Sequence, residues 1–173
     1  MTRPSEVMHF SEDPTITVFT PHVARTARQP EAYVWAVDAD QAPSYWFPRP
    51  CPRAMAWACE TTTAADRERI LGPAGSRVHA IEYGWLAALQ TTLLYVYRFD
   101  ASSFQRFNES SYVSTAVVHP LGSAEPVGDL LALHEAAGIE LRLVSDLRTW
   151  WDAVVSSTVA FSGIRLRNSR TPM

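Results

Sequence analysis

Apolar residues in this chain come in short runs, broken by polar, proline and glycine segments. Residues 6–10 read as a first strand, closed by Ser11-Glu12-Asp13-Pro14, and 15–19 alternate around Ile16 and Phe19 as a second candidate. Residues 20–31 are polar and predict a loop. Tyr33 to Val37 is a compact apolar strand. Asp38 stands at a helix N-cap position before Ala39–Phe47, with Pro43 in the early turns. Pro48, Pro50 and Pro52 then force a stiff, extended connector over 48–53.

Beyond the connector, 54–59 predicts a strand and Thr61–Leu71 a helix. Thr63 is its cap, Asp66 takes the capping-box position and Gly72-Pro73 stops it. Arg77–Ile81 is a strand, Glu82–Leu89 a short helix, and Leu93–Phe99 and Tyr112–Val118 are further strands. A helix follows Ser123, with Pro126 in its first turn, Leu130, Leu131 and His134 sharing a face, and Gly138 at its end. Ile139–Val144 is a strand, and Asp146 opens a helix with Leu147, Trp150 and Trp151 inward. Ser162-Gly163 predicts a turn into Ile164–Arg167. Strands outnumber helices and do not alternate with them regularly, which argues α+β and not a doubly wound sheet.

Length and composition narrow the class. For 173 residues, surface scaling expects roughly 70% of the unfolded surface to be buried, enough for a core without disulfides or a structural metal. One domain over 1–173 is expected, with 145–170 packed on it. The 47% hydrophobic content excludes general disorder. No run approaches a membrane span, and 1–10 lacks the apolar core of a signal peptide. With only two cysteines, eight apart, a reduced cytoplasmic protein with inert thiols is expected. The net charge of −3 offers no global field for nucleic acid. All 15 basic residues are arginine, so no lysine can act as nucleophile, Schiff base or P-loop cation.

Several chemistries are excluded by motif. There is no GxGxxG, GxxxxGK[ST], GxSxG or HExxH, and the five histidines are scattered. His79 and Glu82 lie on opposite faces of a strand and cannot share a metal, so none is expected. Arg165-Leu166-Arg167-Asn168-Ser169-Arg170 suits a phosphate if Arg165 and Arg167 share a strand face; a solvated terminus is the competing reading.

One ordered set of residues carries more information. His9-Phe10-Ser11 ends the first strand, Val34-Trp35-Ala36-Val37 runs toward a helix, and Tyr45 lies ten residues after Trp35. This order resembles the ADP-ribosyltransferase superfamily in its His-Tyr-Glu branch, and more closely the small bacterial enzymes that modify rifamycins. Met8-His9-Phe10-Ser11 stands for their Tyr-His-Gly-Thr strand, and Val34 to Ala42 for their second strand and alanine-rich helix. Tyr95 to Asp100 with Phe104, and Ser111-Tyr112-Val113-Ser114 to Pro120-Leu121, match later blocks over residues 6–121. The stretches Tyr45-Trp46-Phe47-Pro48-Arg49 and Phe161 to Asn168 are also similar to a bacterial family catalogued only as a domain of unknown function, which implies no activity.

The resemblance implies an ADP-ribosyltransferase-like split β-sandwich of two small, mostly antiparallel sheets with peripheral helices. It implies NAD as co-substrate, with His9 anchoring a ribose hydroxyl and the Phe10 backbone gripping the carboxamide. Trp35 and Tyr45 would then clamp the nicotinamide. Arg49 or Arg53, on the rigid connector, suits the pyrophosphate by its planar guanidinium. The implied partner is a small nucleotide, the acceptor is unspecified, and neither a membrane nor general nucleic-acid binding is expected.

Three departures accompany the resemblance. Trp35 replaces a tyrosine, Phe10 replaces a glycine, and the positions of the catalytic acid read Phe107 or Ser111. Glu109 is the best candidate acid and Asp100 the second. Without an acid, the same fold would be a non-catalytic nucleotide-binding or interaction domain. Each residue also has a plain structural reading: His9 satisfied at a strand end, Trp35 in the core, Tyr45 in an aromatic cluster with Trp46 and Phe47, Glu109 in water.

Overall fold

The computed structural model describes residues 4–23, 30–73, 75–108 and 111–169. The chain forms two compact units, each assembled from two stretches: 1–46 with 93–128, and 47–92 with 129–173. The chain is mixed α+β: each unit has one sheet, the pairing is mostly antiparallel, and among the described residues the α-helices all belong to the second unit, the first having only 3-10 turns beside its strands.

In the first unit, β1 (Glu6–Ser11) pairs antiparallel with β5 (Tyr95–Asp100) along its whole length, His9 opposite Tyr97. On its other side lies β2 (Val34–Val37), in register at Met8–Val37. The short strands β6 (Gln105–Arg106), β7 (Ser111–Ser114) and β8 (Glu125–Pro126) complete the order β6-β7-β2-β1-β5-β8. One face carries Val7, Val34, Ala36, Tyr97 and Phe99, which bury against Phe19, Phe104 and Tyr112. Tyr97 is buried, and its hydroxyl donates to the Asp13 carbonyl at 2.6 Å while accepting from the Ile16 amide at 3.0 Å. This bond pair holds 13–16 across the sheet. Residues 15–19 therefore form no strand; Phe19 makes a single bridge to Val118.

The second unit has a four-stranded sheet in the order β10-β3-β4-β9. It is built from β3 (Arg53–Trp57), β4 (Arg77–Glu82), β9 (Glu140–Val144) and β10 (Ala160–Ile164). The β4–β9 pair is parallel, Val78 opposite Glu140, and the others are antiparallel. From Val78 to Glu82 every residue of β4 is buried, as a central strand covered on both faces requires. Thr63 caps α1 (Ala64–Asp66) by accepting from the Asp66 amide, and the helix continues as a π-helical stretch, Arg67–Leu71. The Asp66 carboxylate turns instead to Arg69 and Thr158, which hold its pKa down at about 2. A 3-10 turn (Tyr83–Trp85) leads into α2 (Leu86–Thr91), at the expected place.

Several boundaries differ from those read in sequence, among them the strand expected over Tyr112–Val118, which ends at Ser114 and leaves Val118 only a single bridge to Phe19. Only Ala42–Tyr45 forms a 3-10 turn after β2, with Gln41 at its cap; Asp38 accepts from the Gln41 amide. The helix expected after Ser123 starts later, as α3 (Leu130–Ala136), because Asp129 caps it through the Leu131 and Ala132 amides. Glu125-Pro126 is instead an edge strand, and Gly128, at φ 97°, turns the chain between the two. Ser162-Gly163 lies inside β10 and does not turn. Gly163 faces Ala54, and a β-carbon there would come within 2.9 Å of the Trp151 ring on α4 (Leu147–Val155). The turn falls at Arg165, at φ 58°, followed by a 3-10 turn over Leu166–Asn168. Among the described residues no helix is long and apolar enough to cross a membrane.

Replacing Tyr97 with phenylalanine removes a donor and an acceptor while preserving the ring. Both backbone partners then lose a bond, and a destabilisation of about 1–3 kcal/mol is expected in urea denaturation. A midpoint identical to the parent protein would show that 13–16 does not depend on this hydroxyl.

Candidate functional site

Strand alternation separates His9 from Phe10. Val7 lies in the core cluster, so His9, two residues on, shares its face, and its ring sits edge-on to Phe19 with centroids 5.1 Å apart. Its Nδ1 lies 2.8 Å from the Trp35 carbonyl. A carbonyl can only accept, so Nδ1 carries the hydrogen, and in the neutral ring Nε2 presents a lone pair. Phe10 points to the opposite face and stacks on Tyr45, with centroids 6.2 Å apart and planes 10° from parallel.

Trp35 lies between two core-facing residues, Val34 and Ala36, so its ring is on the face away from the core cluster. There it meets Tyr33 and Phe107 edge-on, with centroids at 5.7 and 4.9 Å. Tyr33 and Phe107 touch each other at 5.9 Å. The three rings form a surface cluster in which Phe107 remains 38% exposed. Each such edge-to-face pair adds about 0.5–1.5 kcal/mol beyond area burial.

The structure therefore joins the sequence-derived residues in two groups. His9 is bonded to the Trp35 backbone, and Phe10 is stacked on Tyr45; the rings of His9 and Trp35 occupy opposite faces of their strands. Tyr33 and Phe107 were missed as partners of Trp35. Tyr33 had a legible signal, since it lies two residues before Trp35 and so on the same side of the strand. Phe107 had none, because its contact depends on β6 and β7 folding back beside β2.

The acidic candidates differ. Glu109 lies outside the described residues. The Asp100 carboxylate accepts from the Ser102 amide at 2.8 Å and caps the 3-10 turn Ala101–Ser103. Arg49 is exposed on the proline segment of the second unit, which is not extended as expected: the Cys51 amide donates to the Pro48 carbonyl at 3.0 Å, Arg49 and Pro50 occupy the turn this bond closes, and Arg53 already belongs to β3. Arg53 is 4% exposed there; its Nη1 donates to the Cys51 carbonyl at 3.1 Å and its guanidinium lies 5.2 Å from the Phe47 ring centre.

A second polar constellation is buried in that unit. Arg77 Nε donates to His79 Nε2 at 2.9 Å. His79 Nδ1 and His134 Nε2 are 3.1 Å apart, and His134 Nδ1 lies 2.7 Å from the Leu130 carbonyl. Only one set of hydrogens satisfies every link: His79 receives at Nε2 and donates from Nδ1, and His134 receives at Nε2 and donates to Leu130. Both rings are then neutral. Burial, first, and the charges of Arg77 and Arg53 hold His79 well below the ordinary imidazole value; burial likewise lowers His134. Phe47 closes over both rings.

The two thiols diverge. Burial pushes Cys51 up to about 12, so it is inert. Cys59 is exposed, and hydrogen bonds from Thr61 and Thr62 lower its pKa. Among the described residues no three histidine, cysteine or acidic side chains are gathered.

The chain matches the family of unknown function DUF6886 over residues 8–169 and belongs to it. No curated protein and no solved structure matches it.

The histidine pair sets a pH dependence. An unfolded chain protonates its imidazoles below about 6.5, whereas the folded rings stay neutral to lower pH. The unfolded state then binds more protons, and stability falls as pH drops below that value, by up to about 1.4 kcal/mol per pH unit for each ring. Urea midpoints should decline from pH 7 to 5.5, with a shallower decline in His134→Gln. An equally steep decline in that variant would remove the pair as the cause.

Proposed function

We propose that the first unit binds a nicotinamide nucleotide and that the protein transfers ADP-ribose from NAD to an acceptor. The observation that carries this reading is the bond between His9 and the Trp35 carbonyl. It places the ring hydrogen on Nδ1, so that in the neutral imidazole Nε2 is the acceptor nitrogen, the kind of group that accepts from a ribose hydroxyl. The flat side chains of the same strands, Phe10 with Tyr45 and Trp35 with Tyr33 and Phe107, lie on the sheet face opposite the His9 ring, where Phe107 keeps open surface for a planar ligand. Support for an ADP-ribosyltransferase-like fold comes from two mostly antiparallel sheets and from the order of the quoted motifs.

In the proposed reaction the bond between nicotinamide and ribose breaks, and its electron pair leaves with nicotinamide. The ribose carbon becomes oxocarbenium-like, a carboxylate stabilises that charge, and an acceptor nucleophile attacks and loses a proton. Glu109 is assigned the carboxylate. A second reading, a nucleotide-binding domain without turnover, is favoured by one observation: Asp100, the other candidate, is engaged in capping a turn.

Calorimetric titration with NAD should give saturable binding that His9→Ala weakens by about tenfold or more, the loss of one hydrogen bond to a buried partner. Nicotinamide release should accompany binding and be abolished by Glu109→Gln. Binding without release supports the second reading, and absence of binding overturns both.

A further inference from the structure

The edge of a sheet presents backbone donors and acceptors that another strand can take up, so proteins guard their edges with charge, proline or short strands. Among the described residues the two sheets have four edge strands, and three are guarded. β6 and β8 are two residues long; the first contains Arg106, and the second is Glu125-Pro126. β9 carries Glu140 and Arg142, bonded to each other at 2.6 Å. β10 differs. Its sequence, Ala160-Phe161-Ser162-Gly163-Ile164, holds neither charge nor proline over five residues. It pairs with β3 on one side, and among the described residues no strand lies on the other.

The side chains along this edge are apolar as well. Phe161 and Gly163, two residues apart, share a strand face. Trp151 of α4 packs on that face: its ring meets Phe161 edge-on with centroids 5.4 Å apart and lies over Gly163. Phe161 is still 43% exposed, and Val155, one helical turn beyond Trp151, is 40% exposed. The strand is also complementary to itself. Antiparallel pairing of two copies about Ser162 sets Phe161 opposite Gly163 of the second copy, Ala160 opposite Ile164, and Ser162 opposite Ser162. Opposite residues have β-carbons about 5 Å apart, so each Phe161 reaches the Trp151 ring that covers the facing glycine. Two rings from each copy then form one apolar cluster, and no charged side chain within the strands meets a like charge. A register shifted by one residue would put the two Trp151 rings on opposite faces of the joined sheet.

We propose that β10 is an interface between two copies of this chain, which join edge to edge through antiparallel β10 strands centred on Ser162. The four-stranded sheets of the two second units thereby become one continuous sheet. A five-residue strand and its aromatic rim make a small interface, so the dimer forms and dissociates with concentration. It stands on its own, whether or not nicotinamide enters the first unit.

The test is sedimentation equilibrium of the full chain with Cys59→Ser, which removes the exposed thiol. A reversible monomer–dimer equilibrium is expected. Phe161→Lys puts a charge on the edge and should raise the dissociation constant about tenfold or more. Leu93→Ser, which removes an exposed apolar side chain of the first unit, should leave it unchanged. Cross-linking gives a second readout that does not need the Phe161 variant to fold. Ser162→Cys, in the same background, sets two thiols opposite each other at disulfide spacing, and mild oxidation should yield a covalent dimer. Gln105→Cys, on the guarded edge β6, should remain monomeric under the same oxidation. Equal cross-linking at 162 and 105 overturns the proposal, as does a dissociation constant that Phe161→Lys does not move. A chain that is monomeric at every concentration and uncross-linked at 162 also overturns it, and leaves the edge to a strand of another protein or to solvent.

Discussion

The hydrogen bond between His79 and His134 ties together the two stretches of chain from which the second unit is made. His79 sits on the central strand and His134 on the helix preceding the parallel partner strand, with 55 residues between them. Both side chains are buried, so neither ring can exchange its partner for water. The link works in one direction only, from Arg77 through both rings to the Leu130 carbonyl. Any extra proton would set two donors against each other in a place with little solvent.

A similar economy operates in the first unit. His9 meets the neighbouring strand through its ring, and that bond does two things at once. It satisfies the Trp35 carbonyl near the end of a short strand, and it sets which imidazole nitrogen presents a lone pair. The chemistry proposed for the protein rests on this orientation, while the Phe10 and Trp35 rings lie on the other face of the same sheet.

Local signals were read well where one residue type has one physical consequence. Asp146 caps its helix, Thr63 caps α1 and Gly138 ends α3, whereas the proline segment, expected to be extended, closes a turn at Pro48–Cys51. They failed where two local readings competed. Pro126 suits a first helical turn or an edge strand, and Tyr95 as partner decided for the strand. Ser162-Gly163 has turn chemistry, yet the glycine is needed because Trp151 packs over it. The candidate site was legible in part. Alternation alone separates His9 from Phe10 and groups Tyr33 with Trp35, whereas Phe107 reaches Trp35 only through the pairing of distant strands.

The amino-acid sequence by itself determined the α+β class, the helix caps and the absence of lysine chemistry, because these follow from backbone restriction and side-chain inventory. Tertiary structure alone decided that the chain interleaves into two units, that two scattered histidines meet, and that the segment after β10 is bonded to the proline segment through Asn168 and the Pro50 carbonyl. The reason is physical: caps and turns act within a few residues, while strand register and buried hydrogen bonds are chosen by whichever long-range pairing leaves the fewest polar groups unsatisfied.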